Sequence, residues 1–346
     1  MTAPHHHGDP LREQRVLAEG AGLVDRSDRD VLAVPGADRL TWLHSLTSQH
    51  LEQLPDRTGT EALLLSPNGH VEQHLVLAEL AGTVWIDVEP GTGDALTAFL
   101  QRMVFMLRVE PALVTDDRAV FSLVGPTGDA VLSAAGLPVP AGPYAVEPLP
   151  GGGFVRRMPT LAAPVVDLVL PRTSDVPAAL LAAGAQRAGL DAYAALRVEA
   201  RRPRLGVDTD HRTIPNELPW LDSAVHLAKG CYRGQETVAR VHNLGRPPRR
   251  FVLLHLDGIE EELPAAGEPV RLGTREVGRV GTAVRHHELG VIALALVKQS
   301  VAADAELTVA TSRAAIDPDD APTELDAERA AARSRVQAVR SGSIAR

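Results

Sequence analysis

At "GRPPRR", residues 245–250, the chain changes texture. Two adjacent prolines remove two backbone donors and hold the residue before them extended, so neither a helix nor a central strand crosses this point. Downstream, "RFVLLHLDG", "EPVRLGTREVGRVGTAV", "LGVIALALV" and "ELTVATS" are short apolar runs between Gly-rich turns. That spacing predicts a small all-β barrel or sandwich of about 65 residues. Upstream, strand-like and helix-like segments alternate. "DVLAVPGADRLTWLHSLTSQHLEQL" predicts a strand, a Pro-Gly turn and a helix with Leu40, Leu43 and Leu46 on one face. "EALLLSPNGHVEQHLVLAEL" predicts a hairpin, because Asn68-Gly69 tolerates the positive φ of a tight turn. "TVWIDVEP", "GGGFVRRM" and "PVVDLVLP" predict strands, and "AVFSLVGPTGDAVLSAAG" a strand followed by a helix. "GDALTAFLQRMVFML", "SDVPAALLAAGAQRAG", "DAYAALRVEA" and "QETVARV" predict helices.

A chain of 346 residues suggests two or three domains. The expected division is an αβ region of two lobes over 14–245 and a β-barrel over 246–312. Residues 1–13 and 317–346 are expected to be flexible or loosely helical ends. Lys and Arg number 35 against 44 Asp and Glu, a net charge of −9, which argues against broad binding to a nucleic-acid backbone. One cysteine excludes an internal disulfide and any Cys-x-x-Cys metal site, and fits a reducing, cytoplasmic location. No apolar run reaches the length of a membrane helix, and the N-terminus lacks the apolar stretch of a signal peptide.

The single cysteine, Cys231, sits in "LAKGCYRGQETVARV" between Lys229 and Arg233 and between Gly230 and Gly234. A lone cysteine is usually a small buried hydrophobe, but polar, glycine-spaced neighbours predict a loop. The two cations would favour the thiolate, and the glycines would let backbone and ligand approach. In "LRVEARRPRLGVDTDHRTIPNELPWL", Glu199 lies among Arg197, Arg201, Arg202 and Arg204. It is either a solvated salt-bridge cluster or a carboxylate held for a ligand. Asp208, Asp210 and His211 lack the spaced partners of a metal site, and none is expected. Gly-x-Ser-x-Gly is absent.

"KGCYRGQE", residues 229–236, matches the K-G-C-Y-x-G-Q-E signature of the YgfZ-type folate-binding proteins, which resemble the aminomethyltransferase (T-protein) of the glycine cleavage system. "RVEARRPRLGVDTDHRTIPNE", "GLVDRSDRDVLAVPGADRLTWLHSLTSQ" and "LGVIALALVK" resemble further segments of that family in the same order, so the likeness spans residues 14–312. It implies an α+β fold of three lobes around a central channel for tetrahydrofolate, with a C-terminal β-barrel. It implies a role in assembly or repair of iron–sulfur enzymes, with client enzymes or assembly proteins as partners and a link to tRNA modification. It implies that Cys231 is the catalytic group. Glu199 would accept the paired N–H donors of the pterin, a charge-assisted bidentate contact. Lys229, Gly230, Tyr232, Gly234, Gln235 and Arg240 would complete the folate site, with Lys229 and Arg240 toward the anionic glutamyl tail. One departure stands out. T-proteins carry an Asp-Asp pair where this chain has Gln73 and His74. That puts aminomethyl transfer in doubt and leaves an altered one-carbon transferase and a non-enzymatic scaffold as alternatives.

Overall fold

The computed structural model describes residues 3–159, 161–244, 246–259 and 262–321. Two sheets and a barrel carry the fold. In the five-stranded antiparallel sheet, Thr58–Leu65, Val71–Leu80, Thr83–Val88, Asp30–Pro35 and Ala112–Leu113 lie side by side in that order. Helices Arg39–Leu46 and Gly93–Arg102 bury Trp42, Leu43, Leu96 and Leu100 against Leu32, Leu77 and Ile86. The predicted "SPNG" hairpin turn is present. The Gly69 N–H donates to the Ser66 carbonyl at 2.9 Å, and Gly69 has φ +82°.

The six-stranded sheet runs Gln186–Ala188, Gly22–Asp25, Arg118–Val124, Val165–Pro171, Phe154–Met158 and Val146–Pro148. Only its first pair is parallel. Helices Gly128–Ala134 and Val176–Ala182 cover it with Val131, Leu132 and Leu180. The barrel closes six strands, from Arg249–Leu256 to Ser312–Ile316, around Val252, Val270, Val280 and Ala295. Its first strand begins at Arg249, just past the proline pair, and its last ends at Ile316.

A buried ion network joins the two sheets. Arg156 is fully buried on strand Phe154–Met158 and donates to Asp87 of the other sheet at 2.8 Å and to Asp167 of its own at 3.2 Å. Arg29 donates to the second oxygen of Asp87 at 2.7 Å. Helix Leu190–Glu199 ties this body to the barrel: Arg197 donates to Asp208 at 2.8 Å, and Asp208 accepts from the Thr282 N–H at 2.6 Å. A Cβ at Gly281 would sit 2.2 Å from Asp208, so glycine is required at that crossing.

The N-terminus differs from the expected loose end. Ala3 is buried, and the Pro4 and His5 carbonyls accept from Leu190 and Asp191. Helix Pro10–Glu19 follows. The Asp9 side chain accepts from the Leu11 and Arg12 N–H groups, and proline stands at the first helical position. Gln14 then reaches the barrel, donating to the Arg285 carbonyl at 2.8 Å. At the other end, Pro318–Asp320 forms one turn, and the expected loose tail beyond 321 lies outside the described residues.

Removing one partner of a buried ion network strands the other charges. Arg156→Ala should therefore lower stability by about 3–5 kcal/mol in urea unfolding, far more than loss of the exposed Arg57–Glu147 pair.

Candidate functional site

A cavity of about 190 Å³ opens between the two sheets, helix Leu190–Glu199 and Trp220. Its floor is Glu61. Side chains of strand Thr58–Leu65 alternate between two buried faces, and Glu61 shares its face with Leu63 and Leu65, opposite Ala62 and Leu64. The carboxylate is 0% exposed. It faces His74 Nε2 at 2.7 Å and accepts from Arg202 Nη2 at 2.9 and 2.8 Å and from the Tyr144 hydroxyl at 2.5 Å. Burial alone would raise its pKa, but the hydrogen bond and charge of His74, with Arg202 and Tyr144, hold it at about 2. His74 stacks on Trp220, ring centroids 4.4 Å apart and planes 15° from parallel, and both rings line the cavity.

The remaining acids of the lining are mostly spoken for. Asp87 pairs with Arg29 and Arg156, Glu89 with Arg29 and Arg204, and Asp167 with Arg156. Burial works against the Glu89 carboxylate too, yet Arg29 and Arg204 hold it at about 2. Arg204 is 41% exposed, which places its guanidinium toward the mouth. Asp28 is different: its Oδ1 is shut from solvent and has no hydrogen-bond partner among the described residues.

The cysteine motif forms a separate structure. Lys229 is buried, and its ammonium donates to the carbonyls of His44, Thr47 and Gln49 at 2.6, 2.7 and 3.0 Å. These close the C-terminal end of helix Arg39–Leu46, where carbonyls lack intrahelical donors and a cation is favoured. Burial pulls the Lys229 pKa down to about 8. Tyr232 is buried in one apolar cluster with Trp220, Leu63 and Leu65, and burial raises its hydroxyl pKa to about 12. Gly234 has φ +81°, and a Cβ there would meet the Ser66 carbonyl at 2.6 Å, so the motif packs backbone to backbone on the hairpin turn. Gln235 closes the loop, donating to the Lys229 carbonyl at 3.1 Å. Cys231 is left exposed on this pinned loop.

The structure thus divides the residues nominated from sequence. Lys229, Gly230, Cys231, Tyr232, Gly234 and Gln235 form one loop, and none of them lines the cavity. Gly230 is exposed with open space where a Cβ would be, so neither strain nor crowding demands glycine there. The two cations flanking Cys231 are engaged elsewhere, Lys229 with the carbonyls and Arg233 with Glu72 at 3.3 Å. Glu199 is apart from both sites. Its helix turns Ala194 and Arg197 into the cavity, and two further residues rotate Glu199 by about 200°. There it faces His286 at 3.3 Å. Burial lowers the His286 pKa, and Glu199 partly offsets the effect. Arg240 is exposed on helix Gln235–Leu244. Asp208 and Asp210 serve Arg197 and Arg249, and among the described residues no cluster of three potential ligands could hold a metal. Glu61, Asp28 and Trp220 were missed. The only sequence signal for Glu61 is an acid in phase with two leucines of an apolar strand.

Two outcomes follow from this geometry. Glu61 and Glu89 have folded pKa values below the usual ~4.3 of glutamate, so their stabilisation is complete above that pH and is lost as pH falls toward 2. Thermal melts from pH 6 to 2 should show this fall, and Glu61→Gln should flatten its share, at most about 3 kcal/mol. Lys229→Met keeps the apolar stem but strands three carbonyls. Amide exchange over residues 226–234 should then accelerate at least tenfold, as for loss of about 1.4 kcal/mol or more of local stability.

Residues 5–138 match the GCVT N-terminal domain family, and residues 249–324 match the CAF17 C-terminal beta-barrel domain family. Among curated proteins, a chloroplastic protein of Arabidopsis thaliana, named only provisionally as a transferase, is 25% identical over 279 residues. That match covers 75% of this chain but only 61% of the relative's length. An aminomethyltransferase of Bordetella parapertussis is 27% identical over 301 residues, covering 83% of this chain and 80% of its own. The crystal structure of glycine cleavage system aminomethyltransferase T from Bartonella henselae superposes with a TM-score of 0.80 over 90% of this chain and 89% of that one. At 21% identity this last likeness establishes the fold. The chain thus matches a GCVT N-terminal domain at one end and a CAF17-type C-terminal β-barrel at the other, on a fold like that of aminomethyltransferase T.

Proposed function

We propose that this chain binds a reduced folate in the central cavity and acts, through Cys231, as an accessory factor in the assembly or repair of iron–sulfur enzymes. The observation that carries this reading is the setting of Cys231. The only thiol of the chain is exposed on a loop that a buried lysine pins to three carbonyls. A cysteine kept for packing would be buried; one held rigidly in solvent suits contact with a partner. A single thiolate cannot hold a cluster alone, so client or assembly proteins supply the other ligands. The signature "KGCYRGQE" and the CAF17-type barrel favour the same role.

The cavity suits the folate. Its lining includes the rings of His74 and Trp220, which suit a flat bicyclic ring, and its size fits such a ring rather than a whole drug-sized molecule. Arg204, half-exposed at the mouth, is better placed for an anionic glutamyl tail than Lys229, whose ammonium is committed to carbonyls. Aminomethyl transfer is the second reading, favoured by the curated aminomethyltransferase relatives. Against it, the acid beside His74 is Glu61, whose oxygens already accept from Arg202 and Tyr144 and face His74.

Cys231→Ala should melt within about 2 °C of the wild type, as expected of an exposed side chain without packing. It should bind tetrahydrofolate as the wild type does in calorimetric titration, and fail to restore iron–sulfur enzyme activity in cells lacking the wild-type protein. Full restoration by the variant would exclude a role for the thiol. Product formation from an aminomethyl donor and tetrahydrofolate would favour the transferase.

A further inference from the structure

Three histidine rings stand in a row where the loop of Cys231 is anchored. His44 lies in the last turn of helix Arg39–Leu46, His50 follows in the next segment, and His226 leads into the loop. The rings of His44 and His50 meet edge to face with centroids 4.9 Å apart, and those of His50 and His226 lie 5.4 Å apart. The backbone beside these rings is what holds the loop. The His226 N–H donates to the Ser48 carbonyl at 3.0 Å, and the Lys229 ammonium binds the carbonyls of His44, Thr47 and Gln49. His44 also accepts from the Leu51 N–H through Nδ1 at 3.2 Å, which spans the segment that Lys229 grips. An imidazole that accepts at Nδ1 is neutral, with its proton on Nε2. Among the described residues no three such groups converge as metal ligands, so proton uptake is the chemistry open to the cluster.

We propose that His44, His50 and His226 form a proton-sensitive latch on the Cys231 loop: neutral, they let Lys229 and Ser48 hold it, and protonated, they release it. The bearing of the latch on function rests on the reading of Cys231 as the group that meets a partner. The groups around His44 are mostly cationic or able to become so. The Lys229 ammonium faces it from the loop, His50 and His226 add their rings, and the exposed carboxylate of Glu52 works the other way. Burial, then the Lys229 ammonium, push the His44 pKa below its ordinary value. A helix C-terminus ordinarily favours a protonated histidine, but here the ammonium has taken those carbonyls. A proton on His44 Nδ1 sets N–H against the Leu51 N–H and strands that donor. Each further proton on the row places like charges on neighbouring rings. The strained segment carries the carbonyls that hold Lys229, so its movement frees the loop. Because the folded pKa of His44 is the lower, its stabilisation is complete above the ordinary ~6.5 of histidine and is lost as pH falls below it. Glu61 and Glu89 stay ionised in that window, so the latch is separate from their acid loss.

The test is amide hydrogen exchange of the full chain, read by mass spectrometry at about pH 7.5 and about pH 5.5, on either side of the ordinary histidine value. Each rate is divided by the intrinsic rate at its pH, which leaves a protection factor. Wild type is compared with His44→Asn, whose amide oxygen stands in for Nδ1 and does not titrate, and with a triple variant that adds His50→Gln and His226→Gln. In wild type, protection over residues 44–51 and 226–234 falls at least about fivefold on acidification, while strand Val165–Pro171 keeps its own. His44→Asn loses most of this dependence, and in the triple variant the two pH values agree within about twofold. Should the triple variant fail to fold, His44→Asn decides, because it keeps the contact with Leu51. Wild-type protection equal at the two pH values overturns the latch. So does a loss of the same size in wild type and His44→Asn, which would trace to other groups. Either result leaves the reading of Cys231 as a partner contact standing. If instead Cys231→Ala restores iron–sulfur enzyme activity in cells while the acid-dependent protection is seen, the latch stands and the partner reading falls.

Discussion

The arrangement depends on one buried arginine. Arg156 comes from the six-stranded sheet and reaches Asp87 of the five-stranded sheet with no exposure to solvent. Neither charge is tolerable alone in that environment. Together with Arg29, Asp167, Glu89 and Arg204 they form a network in which each acid touches at least one cation. Such a network fixes the relative position of two sheets more sharply than apolar packing, because a shift that breaks one contact exposes several charges to a medium that solvates them poorly. The cavity is the gap this seam leaves beside helix Leu190–Glu199. Its walls are consequently rigid, polar and mostly self-satisfied.

The thiol and the cavity are distinct sites held in one frame. Trp220 stacks beneath His74 in the cavity and shares an apolar cluster with Tyr232 of the cysteine motif. The hairpin turn at Gly69 meets Gly234 of the same motif backbone to backbone. Strand Val71–Leu80 thus carries His74 toward the cavity, while its turn supports the loop of Cys231. A ligand in the cavity and a partner at the thiol contact different surfaces of one packed unit.

Much of the fold was legible. The proline pair marked the start of the barrel, and Asn68-Gly69 marked the hairpin, because both act through local backbone geometry. The N-terminal helix was overlooked although Asp9-Pro10 is a cap followed by a proline at the first helical position, a signal equally local. The motif "KGCYRGQE" was recognised as a unit and folds as a unit. The roles of its members were harder to read. Lys229 looked like a ligand for an anion, yet it binds carbonyls at the end of a helix about 185 residues away in sequence. Gly230 and Gly234 looked equivalent, and only Gly234 has the positive φ and the close contact that require glycine.

From the sequence by itself came the alternation of strands and helices, the break at the prolines and a lone cysteine in a glycine-spaced loop. These are properties of neighbours along the chain, set by steric limits and by periodicity. Which carboxylate faces the cavity could not be read that way. Glu61, Asp28 and Glu199 are alike as residues, each acidic and each near arginines in sequence or in space. Helix rotation turns Glu199 out, strand pairing sets Glu61 against His74 and Arg202, and a turn leaves one oxygen of Asp28 without a hydrogen-bond partner among the described residues. Ion pairing and burial are decided by contacts between distant segments, and only the tertiary structure brings those segments together.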